Sequence, residues 1–317
     1  MTENQPSNVV LVHSEQYANW IFDPTHPTQG RRFINARNQL IESLGADNAR
    51  VTEVEPRLAT RAELERVHAP GYVDEILIDH TSSQWAGARP DLATLASTFV
   101  GGTLIALDML IKKKAHTAIH FPGAKHHAQF DYSSGFCIFN DFAIAADIAT
   151  NDYGLKVAIL DIDAHHGDGT ENLTTDNPRV LTYSIHEKGI FPGTGNQSEP
   201  SKAVYNYPLG SGDPEQNPNK DDQALLAGVE EFGWLADQFQ TDLLLIACGA
   251  DGHAEDPLSS LRFTVEGFKN VAKLLRSTLP STPILMGGAG GYLPDSRTPE
   301  VWTTVAREIS RHKGRLK

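Results

Sequence analysis

Apolar positions along this 317-residue chain fall into two alternating patterns. Short apolar runs occupy residues 9–12, 117–121, 157–163, 180–185, 243–248 and 284–286, and their length and composition predict a strand at each. Helical periodicity lies between them. It is carried by Phe33, Ala36, Leu40 and Leu44, by the long apolar stretch 92–111, and by Leu225, Val229, Phe232, Ala236 and Phe239. Strands alternating with helices predict an α/β fold of three layers, with a mainly parallel central sheet covered on both faces. No low-complexity tract or fixed-period repeat divides the chain, so residues 1–317 read as one compact domain.

Polar residues gather where the apolar runs end, and in a parallel sheet those ends carry the ligand site. His126 and His127 follow the run 117–121. Asp161, Asp163, His165, His166 and Asp168 follow Leu160, Ser184 and His186 close the next run, Asp251 follows Cys248, and Tyr292 follows Met286. Side chains alternate along a strand, so Asp161 and Asp163 project to one side, and His165 meets Asp163 if the chain stays extended for one more step. A carboxylate and an imidazole so placed are half of a metal site, and zinc accepts both. The plainer alternative is a hydrogen-bonded polar network with no metal. Three acids and two histidines within residues 161–168 weigh against it, because packing them together costs desolvation and repulsion unless a cation or protons offset it.

Charge and composition narrow the function classes. The net charge is −13, from 27 Lys plus Arg against 40 Asp plus Glu, which opposes nonspecific nucleic-acid binding because that binding depends on phosphate neutralisation. Cys137 and Cys248 both sit in apolar surroundings and read as buried reduced thiols rather than a disulfide. Residues 1–8 are polar, the apolar stretch after them is too short for a signal-peptide core, and no run reads as a membrane span. The expectation is a cytoplasmic protein with neither a nucleic-acid nor a membrane partner.

Further motifs occur in order along the chain. They are His26-Pro27 with Arg32, Pro56-Arg57-Leu58-Ala59-Thr60 leading to Val67-His68, the pair His126-His127, and the run Gly135 to Asp141. After them come Asp161 to Thr170, Phe191-Pro192-Gly193-Thr194-Gly195, Gly249-Ala250-Asp251 with Asp256-Pro257-Leu258, and Gly287 to Tyr292. With these the sequence resembles the zinc-dependent histone deacetylase family, within the wider arginase–deacetylase fold, over nearly its whole length. The resemblance implies a catalytic zinc held by Asp163, His165 and Asp251, with a position left open for water and substrate. It implies that His127 acts as general base and then acid, that His126 stabilises charge, and that Asp161 and Asp168 orient His126 and His127. Tyr292 would stabilise the oxyanion, Gly135, Phe136, Phe191 and Leu258 would line a substrate tunnel, and a structural potassium ion would sit near Asp161, Asp163, His165 and Ser184. The implied substrate is an acylated lysine side chain or an acylated small amine. Acyl length, oligomeric state and the choice of zinc or iron(II) stay open.

Three departures from the family pattern stand out. Lys125 replaces the glycine that many relatives carry directly before the histidine pair, and it either faces the pocket or turns to solvent. Leu258 stands where polyamine-selective relatives carry a glutamate, and residues 84–90, expected at the rim, match nothing in the pattern. Two other readings compete. A binuclear manganese ureohydrolase of the arginase type shares the Asp-x-His pair, but it needs another acid near Asp251 where His253 stands. A catalytically silent acyl-ligand-binding protein would not need every catalytic position filled by a competent residue.

Overall fold

Eight parallel strands form one sheet among the described residues of the computed structural model, which are 9–46, 51–210 and 221–311. The polar stretch 1–8 lies outside them. The strands are β1 (Val9–Val12), β2 (Val51–Val54), β3 (Thr117–His120), β4 (Val157–Asp161), β5 (Val180–Glu187), β6 (Val204–Leu209), β7 (Leu243–Ala247) and β8 (Ile284–Gly287). Their spatial order is β2-β1-β3-β8-β7-β4-β5-β6. The six central strands are the six apolar runs of the sequence, buried along their whole length as a sheet covered on both faces requires.

β2 and β6 are the two edges, and the apolar pattern does not announce them. Val51–Val54 is half-exposed, and Val204–Leu209 contains Pro208, which an edge strand tolerates because one side of its ladder is free.

The helices are α1 (Arg31–Ala46), α2 (Arg61–Leu64), α3 (Pro70–Asp74), α4 (Pro90–Ile111), α5 (Asp141–Asn151), α6 (Asp168–Thr174), α7 (Asp222–Gln238), α8 (Val265–Thr278) and α9 (Arg297–Ser310). α1 packs on α9, α9 on α8 and α8 on α7, while α4 packs on α5 and α5 on α6, so helices flank the sheet in two series. Their starts follow capping chemistry. Thr60 and Glu63 form a reciprocal box at α2, Asn140 accepts from the Ala143 amide at α5, and Thr264 accepts from Gly267 at α8. One expectation needs correction: α4, at 22 residues, is long and apolar enough by length and composition to cross a membrane. It is instead a core helix whose buried residues include Leu92, Phe99, Val100, Leu104 and Leu107.

His68 ties the fold to the site. Its Nε2 accepts from the Asn140 amide at 2.9 Å, so Nδ1 carries the proton and donates to the Gln129 carbonyl at 2.8 Å. Burial lowers its pKa to about 4, below the ordinary 6.5. In the unfolded chain His68 takes up a proton below about pH 6.5, while the folded state resists until about 4. The stability it contributes is therefore fully present above about 6.5 and lost as pH falls through 4. Urea denaturation from pH 7 to pH 4.5 is expected to show a falling midpoint, with a shallower fall in His68→Gln; equal slopes would refute this assignment.

Candidate active site

The ends of β3, β8, β7 and β4 stand level. His120 is opposite Gly287, Gly287 opposite Ala247, and Ala247 opposite Asp161. These four strands are spatial neighbours although residues 117 and 287 are far apart in the chain, so the loops leaving them meet above the sheet.

The loop after β3 is clamped by the start of α5. Asp141 accepts from the amides of Ala124 at 3.0 Å and Lys125 at 2.7 Å, and the Asn140 side chain donates to the Ala128 carbonyl at 3.3 Å. That presents His126 and His127 with ring centroids 4.0 Å apart. His126 Nδ1 lies 2.7 Å from Asp161 Oδ2, and His127 Nδ1 lies 2.7 Å from Asp168 Oδ1. The other Asp168 oxygen accepts from Gln129 Nε2 at 2.8 Å. Burial alone would depress both imidazoles. At His126 the carboxylates of Asp161 and Asp163 outweigh it and raise the pKa to about 9, whereas at His127 burial and then the charge of His126 lower it to about 4. Adjacent histidines are thereby driven to opposite protonation states.

Asp163, His165 and Asp251 are buried, and their ligand atoms all lie within 4.8 Å of one another. Backbone amides fix the carboxylates. Gly290 donates to Asp163 Oδ2 at 2.7 Å, His165 to Asp163 Oδ1 at 2.9 Å, and Ala164 to Asp251 Oδ1 at 3.0 Å. A Cβ on Gly290 would fall 2.4 Å from Asp251 Oδ2, so the glycine run allows backbone to approach the carboxylates this closely. Burial and then Asp163 raise the Asp251 carboxyl to about 7, and the same two carboxylates overcome burial to raise His165 to about 11. His165 Nδ1 sits 3.1 Å from Asp163 and 2.9 Å from Asp251. Two carboxylates and one imidazole, buried and seeking positive charge, fit a divalent cation such as zinc. His166, by contrast, is engaged by Thr194 and Glu171, and the Nδ1 of His253 accepts from the Glu255 amide.

A cleft of about 430 Å³ leads to these groups. Gly135, Phe136, Phe191 and Leu258 line it together with Ile190, and His127, His165 and Tyr292 close its inner end. Gly135 holds φ +51°, and a Cβ there would strike the His127 ring at 2.3 Å. The Phe191 ring lies 5.0 Å from His127 and the Phe136 ring 6.1 Å from Tyr292. The Tyr292 amide donates to Asp256 at 2.8 Å, and burial raises its hydroxyl well above the usual value, keeping it a neutral donor.

Two residues lacked a part in the reading of the sequence. Gln84 lines the cleft, and its Oε1 accepts from the Phe136 amide at 2.8 Å, which pins a residue held at φ +65°. Only the unassigned segment 84–90 pointed to it. Lys125 does not turn to solvent: it is 6 % exposed and its ammonium lies over the rings of Phe33 and Phe99.

The histone deacetylase domain profile matches residues 26–309. Acetoin utilization protein AcuC of Bacillus subtilis (strain 168) is 32 % identical, the match covering 95 % of this chain and 80 % of that protein. AcuC of Staphylococcus aureus (strain MRSA252) is 31 % identical, covering 94 % and 81 %. The crystal structure of the HDA15 HD domain superposes with a TM-score of 0.82 at 22 % identity, over 98 % of this chain and 92 % of that one, which shows the shared fold. With a profile that runs from His26 to Ile309 and bacterial relatives aligned over 94 % and 95 % of this chain, the chain belongs to the histone deacetylase family.

Proposed function

We propose that this chain is a zinc-dependent deacylase of one catalytic domain that hydrolyses the amide bond of N-acyl lysine or of a related acylated small amine. The observation that carries the reading is an apolar cleft ending on a buried Asp-His-Asp group beside two histidines, each paired with its own carboxylate. Asp163, His165 and Asp251 would hold the zinc, which supplies Lewis-acid polarisation of a carbonyl and activation of water.

The chain's own residues account for the rest. Phe136 and Phe191 take the methylene stem of the amine side of the substrate between their rings. Asp168 holds the proton of His127 on Nδ1, so the neutral Nε2 is free to take a proton from the attacking water. The C–O bond forms as the water attacks. His127 then returns the proton to the leaving nitrogen as the C–N bond breaks, and the new acid's remaining proton passes to the amine, giving a carboxylate and an ammonium. His126 remains charged through Asp161 and supplies positive charge beside the developing oxyanion, to which the Tyr292 hydroxyl donates. A potassium ion near Asp161, Asp163, His165 and Ser184 belongs to the same reading. It is supported by the burial of Asp161 opposite Ser184 in the β4–β5 register, and exchange of potassium for sodium in a thermal-unfolding scan reads it. Residence in the cytoplasm is supported by two buried free cysteines.

The test is release of a fluorogenic amine from acetyl-, butyryl- and longer acyl-lysine substrates, and from an acetylated small amine, by zinc-loaded protein. Tyr292→Phe is expected to lose about 10²–10³-fold in kcat, the cost of one oxyanion donor. Turnover untouched by that change would sink the reading.

A further inference from the structure

Two segments far apart in the chain, residues 82–84 and 133–136, meet beside the cleft, and Gln84, Gly135 and Phe136 line it. The second segment is a hairpin turn. Ser134 donates to the Cys137 carbonyl at 3.1 Å, and Cys137 donates to the Ser134 carbonyl at 2.8 Å. Between them Gly135 and Phe136 hold φ +51° and +65°. Positive φ at both central positions is the pattern of the type I′ turn, which favours Asn and Gly because a bulky side chain strains it. Gly135 meets that demand and Phe136 does not. The turn also leaves the Phe136 N–H outside its own pair of hydrogen bonds.

Gln84 supplies what the turn lacks. Its Oε1 accepts from the Phe136 amide at 2.8 Å, while its Nε2 donates to Ser83 Oγ at 3.1 Å and to the Ser133 carbonyl at 3.3 Å. An acceptor bond at one end and donor bonds at the other fix which way the amide group points. The base of the side chain is held as well. The Gln84 amide donates to Ser82 Oγ at 3.1 Å, and Ser82 Oγ lies 2.7 Å from Ser133 Oγ. Ser82 and Ser133 are buried, so these bonds are shielded from water. Trp85, also buried, ties down the next residue by donating from Nε1 to the His80 carbonyl at 3.1 Å. From this framework the Phe136 ring reaches to 4.6 Å from the His26 ring and 6.1 Å from the Tyr292 ring.

We propose that Gln84 is a specificity-determining positioning residue: by holding the Phe136 backbone it fixes the ring, and with it the width of amine stem that the cleft admits. On the deacylase reading, on which this rests, the stem passes between Phe136 and Phe191. Without the Gln84 oxygen a backbone N–H loses its partner at a residue already in a disfavoured conformation, so the turn relaxes and the ring leaves its place. A linear stem then loses a wall, and a wider stem gains room. Gln84 touches no reacting atom, so the effect falls on substrate fit rather than on the chemical step.

The test uses zinc-loaded protein with acetyl-lysine, whose stem is linear, and para-(acetamidomethyl)phenylalanine, whose stem carries a ring. Gln84→Met keeps the length of the side chain and removes the acceptor. It is expected to raise KM for acetyl-lysine about tenfold, with much less change in kcat, the scale of one donor left unpaired. The preference in kcat/KM for acetyl-lysine over the ringed substrate should fall with it. Phe136→Ala removes the ring itself, so adding Gln84→Met to it should change KM little further, whereas a merely structural role gives effects that add. Ser133→Ala, which takes a hydroxyl from the cluster, carries the same test with a smaller shift should Gln84→Met not fold. Unchanged KM and selectivity, or additive effects in the double variant, would overturn the proposal. Amide hydrogen exchange gives a readout apart from turnover: the Phe136 N–H should exchange about tenfold faster in Gln84→Met. Faster exchange with no turnover of any substrate removes the deacylase reading and keeps Gln84 as the anchor of Phe136. Turnover with exchange and KM both unmoved does the reverse.

Discussion

His127→Ala is expected to lower kcat by about 10²–10⁴-fold on an acetyl-lysine substrate, with much less change in KM. The reason lies in where the proton sits. Asp168 binds Nδ1 at 2.7 Å, which leaves Nε2 as the basic atom, and burial beside the charged His126 keeps that imidazole neutral at working pH. Alanine removes the one group among the described residues lining the inner end of the cleft that joins a lowered pKa to a fixed tautomer. His165 also borders the cleft, but its pKa is pushed up to about 11 by Asp163 and Asp251 against the effect of burial, and its Nδ1 is committed to them. The carboxylates of Asp161 and Asp163 raise the pKa of His126 to about 9 against burial, which favours its charged form and disfavours it as a proton acceptor. The change should leave zinc content intact, since His127 is outside the Asp163–His165–Asp251 group. A variant that keeps both its zinc and most of its turnover would disprove the assignment of His127 as base. Asp168→Asn should reproduce part of the loss, because an amide nitrogen facing Nδ1 can impose the wrong tautomer.

Asp251→Asn is the second large effect, read in metal content and stability rather than in rate. The substitution keeps an oxygen for the Ala164 amide, which now donates to Oδ1 at 3.0 Å, and takes away one negative charge. In metal-free protein that charge is already disfavoured, since burial and Asp163 raise the carboxyl to about 7. The metal-free stability of the variant should therefore stay close to that of the wild type. The metal-loaded proteins should differ sharply. Outer partners of a metal site cost about 10–100-fold in affinity, and loss of a direct ligand should exceed that range. Zinc should raise the wild-type unfolding midpoint, as any ligand of the native state does, and hardly move that of the variant. Equal zinc stoichiometry and equal stabilisation in the two proteins would remove Asp251 from the ligand set.

The central strands and the chemistry at their ends were legible along the chain because burial on both faces leaves an unmistakable mark. Val157 to Leu160 and Leu243 to Ala247 must be continuously apolar, and the run of Asp and His straight after Leu160 is not accounted for by apolar packing. The motifs around His126, Asp163, Asp251 and Tyr292 are local, so the family resemblance and the α/β class could be read without coordinates. The edge strands escaped because an edge answers to solvent on one side. Val51–Val54 therefore mixes Thr52 and Glu53 with valines, and Val204–Leu209 accepts Pro208.

Tertiary structure decided what depends on partners distant in sequence. That Gln84 holds the Phe136 amide is a contact across 52 residues, and nothing in an exposed-looking polar segment encodes it. The raised pKa of His126 follows from Asp161 and Asp163 arriving with β4 and the loop after it, and the lowered pKa of His127 from burial that only the assembled loops create and from the charge of His126. Lys125 makes the same point most plainly. The sequence determined that an ammonium precedes the histidine pair, but only the packing of Phe33, Phe99 and Arg32 around it decided that the charge faces inward, because desolvation and neighbouring charge are properties of the folded surroundings and not of the residue.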